Sequence, residues 1–216
     1  MPYLNQRIDQ RLLAVQLAVE NTLSDQELSA ELALFGYDEA KLNVGKSLYE
    51  EAQALVNQQK AQYGEQYEAT QALHQAKEKA DKAYMRTLKV ARIALRGNVQ
   101  AHTALMLGGV RKLSLAGWLA QAQAFYANLL ADPNFMAQMA NFAYDQAKLE
   151  AEQALVLAVL QADQVQQKQM GQARQATKIR DAKLDEMDAW MVDFISIARV
   201  ALEEQTEKLA ALGISS

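Results

Sequence analysis

The chain contains no cysteine, only two prolines and only two histidines, and nowhere in its 216 residues do β-branched residues alternate as in a half-buried strand. Each absence excludes something. Without cysteine there is no disulfide, no thiolate nucleophile and no Cys-based zinc site. With proline confined to Pro2 and Pro133, nearly the whole chain is free to be helical. His74 and His102 are the only imidazoles, and no Glu-x-x-His occurs, the motif that a di-iron helical bundle supplies twice. Gly-x-Ser-x-Gly and phosphate-binding glycine loops are missing too. The expectation is no catalytic residue, no metal site and no cofactor.

What is present is helix-forming. Half of the residues are apolar, dominated by Ala and Leu, and Gln, Glu and Lys fill most of the rest. The fold class that follows is all-α. The 22 basic and 26 acidic residues are interspersed, with 12 and 13 in residues 1–107 and 10 and 13 in residues 108–216. On that balance neither half is a basic stripe, and no nucleic-acid partner is expected. The opening MPYLNQRIDQR lacks the apolar run of a secretory signal, so the reading is a cytoplasmic, bacterial protein. Residues 113–131 carry no charge and approach membrane-spanning length. They also contain Ser114, Gln121, Gln123 and Asn128, each costly in hydrocarbon, so a buried core helix is favoured over a membrane span.

The dominant feature is an internal repeat. At an offset of 107, LFGYDEAKL (34–42) falls on NFAYDQAKL (141–149), and the register runs without a gap to VARIAL (90–95) over IARVAL (197–202). Between positions 21 and 95, 22 of 75 residues equal their counterparts, where roughly six or seven are expected by chance in so biased a composition. Asn21/Asn128, Phe35/Phe142, Tyr37/Tyr144 and Gly64/Gly171 are among them, and low complexity does not align such rare residues. The chain therefore reads as a tandem duplication, unit 1 over 1–107 and unit 2 over 108–216, the two sharing one core about a pseudo-two-fold axis.

Within one unit, Ile8, Leu12, Val15 and Val19 predict a helix over about 4–21. Ser24 with Glu27 reads as a capping box for a short helix, matched by Asp132-Pro133 in the other unit. Gly36 permits a turn, and Asp38 or Asp145 caps a long helix with Val44, Leu48, Ala52 and Leu55 on its apolar face. That face fades around Gly64 and Gly171. A hairpin tip at each glycine explains the fading; one unbroken helix of about 60 residues is the rival, favoured by the lack of a cap residue after Gly64. The stripe resumes with Leu73, Ala80, Tyr84, Leu88, Ala91 and Leu95. The favoured architecture is two long helical hairpins forming a four-helix core with short extra helices, joined by a linker over 96–109.

Polar residues kept at both positions are the candidates for function: Asp38/Asp145, Lys41/Lys148, Asp81/Asp188 and Arg92/Arg199. Arg92 and Arg199 sit inside apolar sequence, which predicts partly buried guanidinium groups held by a carboxylate from another helix, with Asp38 the partner expected for Arg92. Such pairs fix packing; a ligand pocket between helices is the competing reading. His74 with Glu78, and the ladder Asp181, Asp185 and Asp188, are better explained as surface pairs and a solvated acidic face than as metal ligands. Phe35, Tyr37, Phe142 and Tyr144 read as core. Trp118, Phe125 and Tyr126 have no aromatic counterparts. The function expected is a non-enzymatic interaction or scaffold bundle whose partner is another protein or a second copy. A bundle holding a small ligand or metal at the matched charged residues is the alternative, and a membrane-active protein exposing 113–131 the third.

Overall fold

The computed structural model describes residues 3–214. Among them every regular element is helical: after a 3-10 turn at Tyr3–Asn5 come α1 (Ile8–Ser24), α2 (Gln26–Ala33), α3 (Glu39–Ala94), α4 (Val99–Ala104), α5 (Leu115–Ala131), α6 (Pro133–Ala140), α7 (Gln146–Ala201) and α8 (Thr206–Ala211). Each boundary of α5 to α8 lies 107 residues beyond the corresponding boundary of α1 to α4.

The helix starts follow from their first residues. Asp25, rather than Ser24, caps α2, its Oδ1 accepting the Glu27 and Leu28 amides at 3.0 and 3.1 Å, while the Ser24 hydroxyl turns back to donate to the Asn21 carbonyl. Asp132 caps α6 in the same way, with Pro133 at the first helical position, where its missing N–H costs nothing. Asp38 and Asp145 cap the two long helices, each accepting the amide three residues on, of Lys41 and Lys148, at 2.9 Å.

The predicted hairpins are absent. Gly64 and Gly171 lie inside α3 and α7, each an unbroken helix of 56 residues. The reason is energetic. One glycine costs a helix about 1 kcal/mol relative to Ala, and the flanking Gln, Glu, Lys and Ala residues are good helix formers that offer no capping side chain. The polar stretch that reads as a turn is a solvated portion of helix.

Two compact units result. One comprises the chain up to Tyr63 together with the chain from Gln172 onward; the other is 64–171. The first has a core of α1 (Leu12, Val15, Val19), α2 (Leu28, Leu32), the first half of α3 (Leu42, Ala52, Val56) and the second half of α7 (Leu184, Met187, Phe194). The second is built from α5 (Trp118, Phe125, Leu129), α6 (Phe135, Met139), the second half of α3 (Tyr84, Leu88) and the first half of α7 (Leu149, Val156, Val159). Each half of α3 thus packs with a half of α7, where the hairpin reading packed it against the other half of itself. The apolar α5 is a core helix, and no helix among the described residues is long and apolar enough to cross a membrane. Val44, placed on the apolar stripe by its spacing, is 53% exposed.

The turns before α3 and α7 show a local conflict. Gly36 has φ +84°, and its counterpart Ala143 holds φ +60°, a left-handed conformation costly for a residue with a Cβ. Nothing lies within 4 Å of a Cβ built on Gly36, so the difference between the two turns is a backbone effect. Ala143→Gly is therefore expected to stabilise the protein by about 1 kcal/mol and Gly36→Ala to destabilise it by a similar amount. Denaturant melts measure both, and equal stabilities would contradict the assignment.

Candidate functional site

The matched charged residues do not converge on one site. Asp38 and Asp145 are spent as helix caps. Lys41 and Lys148 lie over the rings of the buried Tyr37 and Tyr144, at 4.0 and 3.6 Å from their centroids, in cation–π contacts. Arg92 is exposed and donates from Nε to the Leu107 carbonyl at 2.6 Å, so it is a backbone contact and not the partly buried ion pair with Asp38 that its apolar neighbours predict. Arg199 is exposed as well, in the last turn of α7.

Asp81 and Asp188 are the informative pair. Asp188 is only 6% exposed and accepts the Tyr3 hydroxyl at 2.7 Å and a short charged hydrogen bond from Arg11 of α1. Asp81 accepts the indole N–H of Trp118, of α5, at 2.6 Å, and the ammonium of Lys77 at 3.2 Å. Trp118 lies 107 residues beyond Arg11. Asp188 therefore ties α7 to α1, and Asp81 ties α3 to α5, through donors of different chemistry. This breaks up the acidic ladder: Asp188 is buried and paired with Arg11, while Asp181 is exposed and paired with Arg180.

The polar chemistry that the sequence reading missed is inside residues 64–171. One Glu152 carboxylate oxygen accepts the Tyr126 hydroxyl at 3.0 Å and a short hydrogen bond from the Thr87 hydroxyl, both donors being fully buried. The corresponding positions of the other unit are filled differently. Gly45 stands for Glu152, Trp190 for Ala83 and Phe194 for Thr87, and a Cβ on Gly45 would overlap the Trp190 ring. Trp190 and Phe194 stack at 5.2 Å between centroids, with Tyr37 edge-on to both. A stacked aromatic core in one unit thus replaces a hydrogen-bonded carboxylate in the other. The signal was available in the offset alignment, as three neighbouring core positions that change together.

The arrangement of Glu152 is structural rather than reactive, because both hydroxyls are buried and already donate to it. Trp118, Phe125 and Tyr126 are core residues around Tyr84, and Phe35 and Phe142, expected in the core, are 45% and 47% exposed. Among the described residues no group of three or more His, Asp or Glu side chains is placed to hold a metal ion. Two concavities open within 64–171. One, of about 430 Å³, includes His74, Lys77, Glu78 and Asp81 in its wall; the other, of about 340 Å³, includes Arg92, Arg96 and His102. Glu78 itself is paired with Lys82, which holds its carboxyl below the ordinary range. No protein-family model, no curated protein and no solved structure matches the chain.

Burial, followed by the Glu152 charge, pushes the Tyr126 hydroxyl far above its ordinary range; burial and Asp188 do the same to Tyr3. Burial and Glu20 push Tyr49 up to about 12. A tyrosine whose folded pKa is raised contributes stability that is fully present below its unfolded pKa, about 10, and is lost as pH rises above it. Stability is expected to hold up to about pH 10 and to fall from there toward pH 12, with Tyr126→Phe flattening the fall by up to about 1.4 kcal/mol per pH unit. Urea melts across that range measure the slope; a Tyr126→Phe variant with an unchanged slope would show that the phenol ionises as readily folded as unfolded.

Proposed function

We propose that the chain is a tandem duplication acting as a non-enzymatic interaction module, with each copy presenting the same apolar knuckle to a protein partner. The observation that carries this reading is the matched pair of half-exposed rings, Phe35 at 45% and Phe142 at 47%, each immediately before the left-handed turn that leads into a long helix. Leu34, at 84% exposed, extends the first knuckle. Both phenylalanines persist at the 107-residue offset although their surroundings have changed, and neither is needed to fill a core. Most of the matched charged residues support the same reading, because Asp38 and Asp145 cap helices, Lys41 and Lys148 cover rings, and Asp81 and Asp188 join helices.

A second reading, a small ligand held at the matched charged residues, is favoured at two positions only. Asp81 lies in the wall of the 430 Å³ concavity and Arg92 in that of the 340 Å³ one. Native mass spectrometry of the purified protein, before and after Asp81→Asn and Arg92→Ala, decides whether a ligand is carried there.

The interaction reading is tested by placing a photo-crosslinking residue at Leu34 and, separately, at Asn141, its exposed counterpart. The same partner is expected to be captured at both positions. Phe35→Ser with Phe142→Ser is expected to abolish capture while costing about 1 kcal/mol of stability per site. Capture that differs between the positions, or survives loss of both rings, would contradict the reading.

A further inference from the structure

The near-equal charge of the two halves hides a strongly asymmetric segment. From Lys82 to Ala131, fifty residues contain seven basic side chains and no Asp or Glu, so this segment carries +7 in a chain of net charge −4. Five of the seven lie along the last turns of α3 or just beyond them: Lys82, Arg86, Lys89 and Arg92 within the helix and Arg96 after it, all exposed. At 100° per residue, Lys82, Arg86, Lys89 and Ile93 fall within about 60° of one another on the helix surface. Ile93 is 54% exposed within that stripe. Arg86, Lys89 and Arg96 make no ion pair with any described residue.

The stripe ends against a loop that displays aliphatic side chains. Arg92 is tied to that loop by its bond to the Leu107 carbonyl, and Arg92, Arg96 and Val99 line one concavity with Leu107. Arg111 is drawn inward, donating to the Tyr84 hydroxyl at 2.8 Å and to the Met106 and Gly108 carbonyls at 2.7 and 2.6 Å. Its neighbours remain outside: Val110 is 89% and Leu113 97% exposed, and Val99, at the start of α4, is 81% exposed. The fold does not require such a surface. At the offset positions the stripe residues become Ala189, Asp193, Ser196, Arg199 and Glu203.

We propose that this face of residues 64–171 docks on an anionic lipid surface, the basic stripe meeting headgroup phosphates and Val99, Val110 and Leu113 entering the boundary below them. Peripheral membrane binding combines apolar insertion with electrostatic attraction, and both parts are present here within one short stretch of chain. A nucleic acid would use the basic stripe but not the aliphatic tips. Tyr84, to which Arg111 of that loop donates, and the rings packed on it, Trp118, Phe125 and Tyr126, are buried and offer no base-stacking platform. The proposal does not depend on the Phe35 and Phe142 knuckles, since it rests on residues that the two units do not share.

Co-sedimentation of the full chain with vesicles tests it, using phosphatidylcholine alone against phosphatidylcholine mixed with phosphatidylglycerol, at low and high salt. Binding is expected only to the anionic vesicles and is expected to weaken with salt. Val110→Asp with Leu113→Asp, and separately Arg86→Glu with Lys89→Glu, are each expected to weaken binding about tenfold or more. Because Val110 and Leu113 are almost wholly exposed, the first variant keeps the fold and decides the matter if the second does not. Failure to bind anionic vesicles, or binding that ignores Val110→Asp with Leu113→Asp, overturns the proposal. Equally tight binding to a duplex DNA oligonucleotide, unaffected by that variant, would overturn it in favour of a nucleic-acid face.

Discussion

The constraint on which the rest of the structure depends is the continuity of α3 and α7. A 56-residue helix with an apolar stripe on each half must bury both stripes, and an unbroken helix cannot fold back to bury one against the other. Each stripe therefore finds its partner on the other long helix. Residues 39–63 share a core with 172–201, and residues 64–94 with 146–171. The short helices then close each core. Leu28 and Leu32 of α2 serve one unit, and Phe135 and Met139 of α6 the other.

Within that frame the two cores are filled by different chemistry. Trp190 needs the absence of a side chain at position 45, and the indole occupies the space that Gly45 leaves. At the offset positions Ala83 is small, and Glu152 extends to the Thr87 and Tyr126 hydroxyls. A carboxylate among buried groups is tolerable only because both hydroxyls satisfy it; the stack of Trp190 and Phe194 carries no charge, although the Trp190 indole N–H and the Tyr37 hydroxyl beside it are buried without a partner among the described residues. Asp81 and Asp188 show the complementary case, the same acceptor at offset positions with an indole donor on one and a guanidinium donor on the other.

Much of this was legible in the sequence, and the exceptions have physical causes. Helix starts were readable because Asp38, Asp132 and Asp145 cap through bonds two or three residues away, a local interaction. The stripes of Leu12, Val15, Leu88 and Leu95 were readable because burial imposes helical spacing. The continuity through Gly64 was not, because a fading stripe looks the same whether the chain turns or simply passes through solvent. Arg92 misled for a related reason: apolar neighbours imply burial only if the residue shares their face, and Arg92 points outward to the Leu107 carbonyl. Residue type alone places Phe35 and Phe142 in the core, yet both are half-exposed, each immediately before a left-handed turn. The basic run from Lys82 was concealed by averaging charge over halves that cut across it.

Replacing Gly64 and Gly171 with alanine tests continuity most directly. Both glycines are exposed, neither has positive φ, and nothing lies within 4 Å of a Cβ built on either. In an unbroken helix, Gly64→Ala and Gly171→Ala each raise stability by about 0.5–1 kcal/mol, read from denaturant melts. At a left-handed hairpin tip the same changes would lower it by about 1 kcal/mol or more, and that sign would contradict the paired long helices on which the account rests.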